Sequence, residues 1–193
     1  MEYNVDKKEI KLNRNLSKLD KFVLDFCHIL NDYVIVSGYV SILFGRSRAT
    51  EDVDLLIPKI KFKDFENLWI KINNFGFECI NTSNVQEAFN FLDEFAIRFS
   101  RKNKPIPNME FKIMKNDIDK YSFENKIKVI LKQGELMISP LEMQIAYKLF
   151  LGSDKDFEDA KHIYELFKEN LKLKELDDLC EQLKVKDKLK EIK

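Results

Sequence analysis

The chain has 193 residues, 33 Lys+Arg balanced by 33 Asp+Glu, and 45% hydrophobic residues. That length suits one ordinary domain, or a core with a small appendage, and the apolar share excludes a disordered chain. A formal net charge of zero excludes a chain-wide basic surface for gripping nucleic acid, although not a local basic patch.

No apolar run approaches the roughly 20 residues of a membrane-spanning helix. The longest candidate, Tyr33 to Phe44, is broken by Ser37, Gly38 and Ser41. The polar, acidic start Met1-Glu2-Tyr3-Asn4-Val5-Asp6 is no signal peptide. Cys27, Cys79 and Cys180 are far apart and only two histidines exist, so neither a disulfide scaffold nor a Cys/His zinc site is expected. The expectation is a reduced, cytoplasmic protein.

Residues 1–15 are charged and show no period. Leu16 to Leu30 reads as an amphipathic helix, with Leu19, Phe22, Val23, Phe26 and Ile29 at three- and four-residue steps. Tyr33–Val36 is a buried strand, Ser37-Gly38 a turn, and Tyr39–Phe44 a short helix ended by Gly45. Arg46–Thr50 is a polar loop before the strand Val53–Ile57. Then follow a helix over 62–74, a strand over 77–80, a helix over 85–92, a strand over 94–100, a loop over 101–107 and a strand over 109–114. Lys126–Leu131 and Glu135–Ile138 form a hairpin around Gly134. Ser139-Pro140 is a helix cap followed by a first helical residue, and the pattern is helical from there on: 140–151, 156–168, 172–184 and a charged tail. The expected fold is α+β, a mixed sheet flanked by helices over 1–138, with a helical region over 139–193.

The informative stretch runs from Val36 to Ile57. Asp52 and Asp54 lie two apart in a strand, so their side chains share one face while Val53 and Leu55 enter the core. Two like charges on one face repel unless a cation sits between them, and a hard divalent ion such as Mg²⁺ suits carboxylate oxygens. In Met109-Glu110-Phe111, Glu110 is a lone carboxylate framed by apolar residues; beside the first strand it would complete a three-carboxylate cluster. Glu94 is a rival for that third place. Such a cluster can hold two ions about 4 Å apart, one for the attacking oxygen and one for the leaving group. The competing reading makes all three sheet-end charges in water. The Ser37-Gly38 turn can seat phosphate, because glycine lets the backbone come close. Arg46 and Arg48 suit triphosphate binding and surface ion pairing equally well, and Thr50 either caps or touches phosphate.

Together these residues resemble the DNA polymerase β-like nucleotidyltransferase superfamily. Its members carry a hydrophobic strand, Gly-Gly or Gly-Ser, about a dozen residues, then Asp-hydrophobic-Asp/Glu-hydrophobic, with a third carboxylate on a later strand. Val34-Ile35-Val36-Ser37-Gly38, Asp52-Val53-Asp54-Leu55 and Met109-Glu110-Phe111 stand in those places. Arg48-Ala49-Thr50-Glu51-Asp52-Val53-Asp54 is similar to the first motif of small stand-alone prokaryotic members, among them the abortive-infection toxin nucleotidyltransferases of toxin–antitoxin systems.

The resemblance implies NMP transfer from an NTP to a hydroxyl acceptor on a protein, a tRNA end or a small molecule such as an aminoglycoside. It implies Asp52, Asp54 and Glu110 as catalytic Mg²⁺ ligands, and Ser37, Gly38, Arg46, Arg48, Thr50 and Lys148 as nucleotide-binding residues. Asp156 and Asp159 would orient Lys148 or line the cleft. It also leaves open a non-catalytic nucleotide-binding protein, or one whose C-terminal helices dock an antitoxin. Tyr39 departs from the pattern: a small residue is usual there, and a tyrosine would narrow the nucleotide site or stack on a base.

Overall fold

The computed structural model describes residues 1–193. In chain order its elements are β1 (Glu2–Asn4), β2 (Glu9–Lys11), α1 (Lys18–Cys27), β3 (Val34–Ile35), α2 (Gly38–Leu43), β4 (Asp52–Ile57), α3 (Phe62–Asn74), β5 (Phe77–Cys79) and α4 (Val85–Glu94). There follow β6 (Ile97–Arg101), β7 (Lys104–Ile113), α5 (Asp117–Glu124), β8 (Ile127–Leu131), β9 (Gly134–Ile138), α6 (Leu141–Leu151), α7 (Asp154–Phe167), α8 (Leu173–Gln182) and α9 (Lys186–Ile192).

The strands form one nine-stranded mixed sheet in the order β1-β2-β8-β9-β3-β4-β7-β6-β5. At its centre β4 runs antiparallel to β3 and parallel to β7, with Val53 opposite Met109, Asp54 opposite Glu110 and Leu55 opposite Phe111. Side-chain alternation then sorts the two faces. Val53, Leu55, Met109 and Phe111 are fully buried on one, beneath α1. There Phe26 of α1 packs its ring against Phe77, Phe99 and Phe111. Asp52, Asp54, Asn108, Glu110 and Lys112 share the other face. Alternation explains the pairing of faces without any special device, because a one-residue slip would drive the carboxylates into the aromatic core.

The helix α1 begins at a capping box: the Asp20 N–H donates to Ser17 Oγ at 3.0 Å, and the Ser17 N–H donates to Asp20 Oδ2 at 2.6 Å. At the other end of the chain, α6 follows β9 directly and packs on α7 and α8, while α2 meets α7. One continuous cluster of 45 buried side chains runs from Ile10 to Ile192. No helix is long and apolar enough to cross a membrane.

The structure corrects four expected elements. Residues 1–15 hold two three-residue strands, β1 and β2; only Ile10 of these six residues is buried, too short a signal for a period of two to register. Glu94 ends α4 instead of opening a strand, and β6 starts at Ile97. The expected loop over 101–107 is mostly β7, since the chain reverses over Lys102-Asn103, with Asn103 at φ 60°. Between Met114 and Lys126 lies the helix α5, whose short apolar face hid it; a capping box of Asn116 and Asp119 starts it.

Candidate active site

The strand pairing brings Asp54 and Glu110 side by side. One Lys112 ammonium donates to both, at 2.6 Å to Asp54 Oδ1 and 2.6 Å to Glu110 Oε2. Arg98, opposite Glu110 on β6, donates to Glu110 Oε1 at 2.7 Å. Asp52 sits one step back on the same face; the Thr50 hydroxyl donates to its main-chain oxygen at 2.9 Å and approaches Oδ1 at 3.3 Å. Its strand partner Asn108 is 7% exposed and leaves a buried side-chain oxygen without a hydrogen bond. Such an orphan acceptor is costly in a folded protein unless something else satisfies it.

The electrostatics of the pair are unequal. Burial, together with the neighbouring Glu110, pushes the Asp54 carboxyl above its ordinary value, and Lys112 only partly offsets this. Burial also works to raise Glu110, but its hydrogen bond with Asp54 and its two cations, Lys112 and Arg98, bring it down to about 2. The asymmetry comes first from the deeper burial of Asp54 and from the hydrogen bond between the two carboxyls, which raises Asp54 and lowers Glu110; Arg98 adds to it. Burial would lower Lys112; the two carboxylates override it and hold the ammonium above its ordinary value.

A cavity of about 480 Å³ opens beside this pair. Ser37, Asp54 and Lys112 form part of its polar wall, and Leu56, Ile113, Ile118, Met143 and Tyr147 supply apolar surface. Its size and mixed lining are those of a small-molecule site. Ser37 takes φ 62° and ψ −137°, a backbone conformation that L side chains rarely adopt. Strain of this kind costs on the order of 1–3 kcal/mol and gathers at functional sites.

The cations expected to meet triphosphate are arranged otherwise. Arg48 makes a two-pronged pair with Asp159, Nε to Oδ1 at 3.2 Å and Nη2 to Oδ2 at 3.0 Å. Lys148 is 2% exposed and bridges Asp156 at 2.6 Å and Asp159 at 3.1 Å. Arg46 approaches the same Asp159 with Nε at 3.6 Å, beyond hydrogen-bond reach. Thus the loop before β4 and the helices α6 and α7 meet at one fully buried carboxylate. The Arg48 guanidinium also lies against Gly38, where an added Cβ would sit 2.0 Å from Nη2. A side chain at this position would push the Arg48 guanidinium aside.

Tyr39 is another correction. Its ring is 1% exposed and turned away from the cavity, and its hydroxyl donates to Asp20 Oδ1 at 2.8 Å. It neither narrows the site nor offers a stacking face. Burial works to raise Asp20, but bonds from Arg14, Ser17 and Tyr39 outweigh it and hold the carboxyl below its ordinary range. The rival carboxylate Glu94 lies at the cavity wall at the end of α4, while Glu110 stands opposite Asp54. Lys112, Arg98 and Asn108 were passed over as site residues in the sequence. Lys112 and Asn108 share Glu110's parity on their strand, which was a readable signal; the role of Arg98 depends on the pairing of β6 with β7.

Oxygen donors suit a hard divalent cation, and this face carries only oxygen donors: Asp52, Asp54, Glu110 and the orphan oxygen of Asn108. No group of three or more His, Cys, Asp or Glu side chains lies close enough to hold an ion alone. The expected three-carboxylate cluster is therefore not closed, and Asp54 and Glu110 would hold a hard divalent cation only with water or a bound anion completing its shell.

No protein-family model and no curated protein sequence matches the chain. Among solved structures, it is similar to an antigenic nucleotidyltransferase-like protein from Paracoccidioides brasiliensis, with a TM-score of 0.53 and 17% identity over 84% of this chain and 86% of that one. This chain shares the fold of that protein.

Proposed function

We propose that this protein is a Mg²⁺-dependent nucleotidyltransferase that moves a nucleoside monophosphate from an NTP to a hydroxyl acceptor. The observation that carries the reading is the register match of Asp54 with Glu110 on adjacent parallel strands, sharing one cation at the wall of a nucleotide-sized cavity. Asp54 and Glu110 would hold the metal, with Asp52 beside them; when bound, Mg²⁺ would lower the acceptor hydroxyl's pKa and neutralise phosphate charge.

The chain's own residues do the rest. The cavity between Leu56, Met143 and Tyr147 takes the base and ribose and excludes water from them. Ser37, which lines the cavity, is the end of the Ser37-Gly38 turn that approaches the phosphates. Arg48 keeps that turn in place by packing on Gly38 while anchored to Asp159. In the transfer the acceptor oxygen bonds to the α-phosphorus as its proton passes to solvent water. The bond to the bridging oxygen breaks, and pyrophosphate leaves. Lys148 and Arg46 act here as scaffolding of the Asp159 cluster. The finer likeness to small prokaryotic toxin nucleotidyltransferases rests on the Arg48 to Asp54 motif.

Transfer of label from α-³²P-NTP with Mg²⁺ tests the reading, run on the wild type and on Asp54→Asn. The expected result is pyrophosphate release and acceptor labelling that fall by about 10²-fold or more in the variant, with the thermal melt retained. Undiminished transfer would refute the metal assignment. The capture of Arg48 and Lys148 by Asp159 favours a second reading, a nucleotide-binding protein without transfer. Saturable NTP binding with no pyrophosphate release would select it.

A further inference from the structure

We propose that Lys112 is a built-in cation that competes with the divalent ion for Asp54 and Glu110, so that the ion binds well only together with substrate phosphate. The inference rests on the reading of that pair as metal ligands. Its first support is the register. Glu110 and Lys112 are two residues apart on β7 and share one face, and Asp54 of β4 stands directly opposite Glu110 on that face. The backbone therefore fixes the root of the lysine next to both carboxylates, and the ammonium reaches them without distortion.

The second support is the choice of oxygens. Glu110 Oε1 is taken by Arg98, so Oε2 is the oxygen left to face inward, and it is the one Lys112 contacts. Lys112 also takes Asp54 Oδ1. A divalent ion held between the two carboxylates would meet the ammonium that already sits on both. Lysine and ion are then alternatives.

The third support is room to leave. The Lys112 side chain is 35% exposed and lines the cavity. Rotation about its side-chain torsions carries the ammonium from the carboxylates into the cavity with no backbone movement. With no nucleotide present, the departing ammonium gains only water. With a triphosphate in the cavity, it gains an anionic partner, and the exchange becomes favourable. Lys112 thus makes ion binding depend on nucleotide.

Mn²⁺ binding by electron paramagnetic resonance tests this on the full chain: wild type, Lys112→Met and the charge-keeping Lys112→Arg. Without nucleotide, K112M is expected to bind Mn²⁺ about tenfold or more tighter than wild type, and K112R about as weakly as wild type. A non-hydrolysable NTP should close most of the gap by tightening wild type. Equal or weaker Mn²⁺ binding by K112M overturns the inference. If K112M fails to fold, Lys112→Gln serves the same comparison under the same criteria. Asp54→Asn separates the two levels of the reading. If it abolishes Mn²⁺ binding while K112M equals wild type, Lys112 is no competitor and the metal site stands. If Mn²⁺ affinity survives D54N, both the metal assignment and the competition fall.

Discussion

Tyr39 and Gly38 stand next to each other in the chain and have opposite tasks. The tyrosine hydroxyl serves a buried Asp20, so Tyr39→Phe is expected to cost about 1 kcal/mol, read from urea unfolding, and to leave nucleotide affinity within experimental error. A large loss of nucleotide binding would show that the ring reaches the site. Gly38→Ala is expected to do the reverse. Its Cβ would force the end of Arg48 aside, and because a flexible side chain yields more easily than backbone, the stability cost is only about 1 kcal/mol, while nucleotide binding weakens as the turn loses its anchor. The shared face of Asp52 and Asp54 was legible in the sequence, because a strand's period of two leaves no freedom, whereas the place of Glu110 beside them depends on the pairing of β4 with β7. The direction of Tyr39 was not: it depends on Asp20, a residue on another element whose charge needs a donor.

At the scale of elements, the pairing of β4 with β7 makes stability depend on acid. Glu110 has an ordinary value of 4.5 and is held at about 2 in the fold, so its contribution is present above about pH 4.5 and disappears as pH falls towards 2. Asp54 acts in the opposite sense: its raised value favours the fold at low pH, and that contribution is lost as pH rises through the raised value. Glu110→Gln is therefore expected to flatten the fall in stability between pH 4.5 and 2 in chemical unfolding at stepped pH. An unchanged acid limb would show that Glu110 is free of its cations in solution. The helix α7 joins the loop before β4 through Asp159, which no local pattern could reveal, since Arg48 and Asp159 are 111 residues apart. Asp159→Asn leaves Arg46, Arg48 and Lys148 with Asp156 and Glu158 as their remaining acids, and is expected to cost about 3 kcal/mol in unfolding free energy. A change under about 1 kcal/mol would show that solvent screens the cluster. Short elements were the least legible: β1 and β2 bury one residue between them, and α5 depends on its cap more than on an apolar stripe.

Over the whole molecule, the C-terminal helices and the sheet share one core, and the cavity lies where they meet, between β4, β7 and α6. The change from strands to helices after Ile138 was visible from composition, but the expected cap is not made: Pro140, not Ser139, is the N-cap of α6, and the Ser139 hydroxyl bonds Ser122 instead. What the sequence could not show is that α6 and α7 reach back through Asp159 to Arg48, which packs on the Ser37-Gly38 turn, so that this turn is coupled to the helical layer. The measurement that bears most directly on the central claim is an anomalous-scattering map of the protein crystallised with Mn²⁺ and a non-hydrolysable NTP. The expected result is a manganese peak within about 2.2 Å of oxygens from Asp54 and Glu110, next to the α-phosphate, with Lys112 turned into the cavity. A peak away from these carboxylates, or nucleotide bound with Lys112 still bridging them, would contradict it.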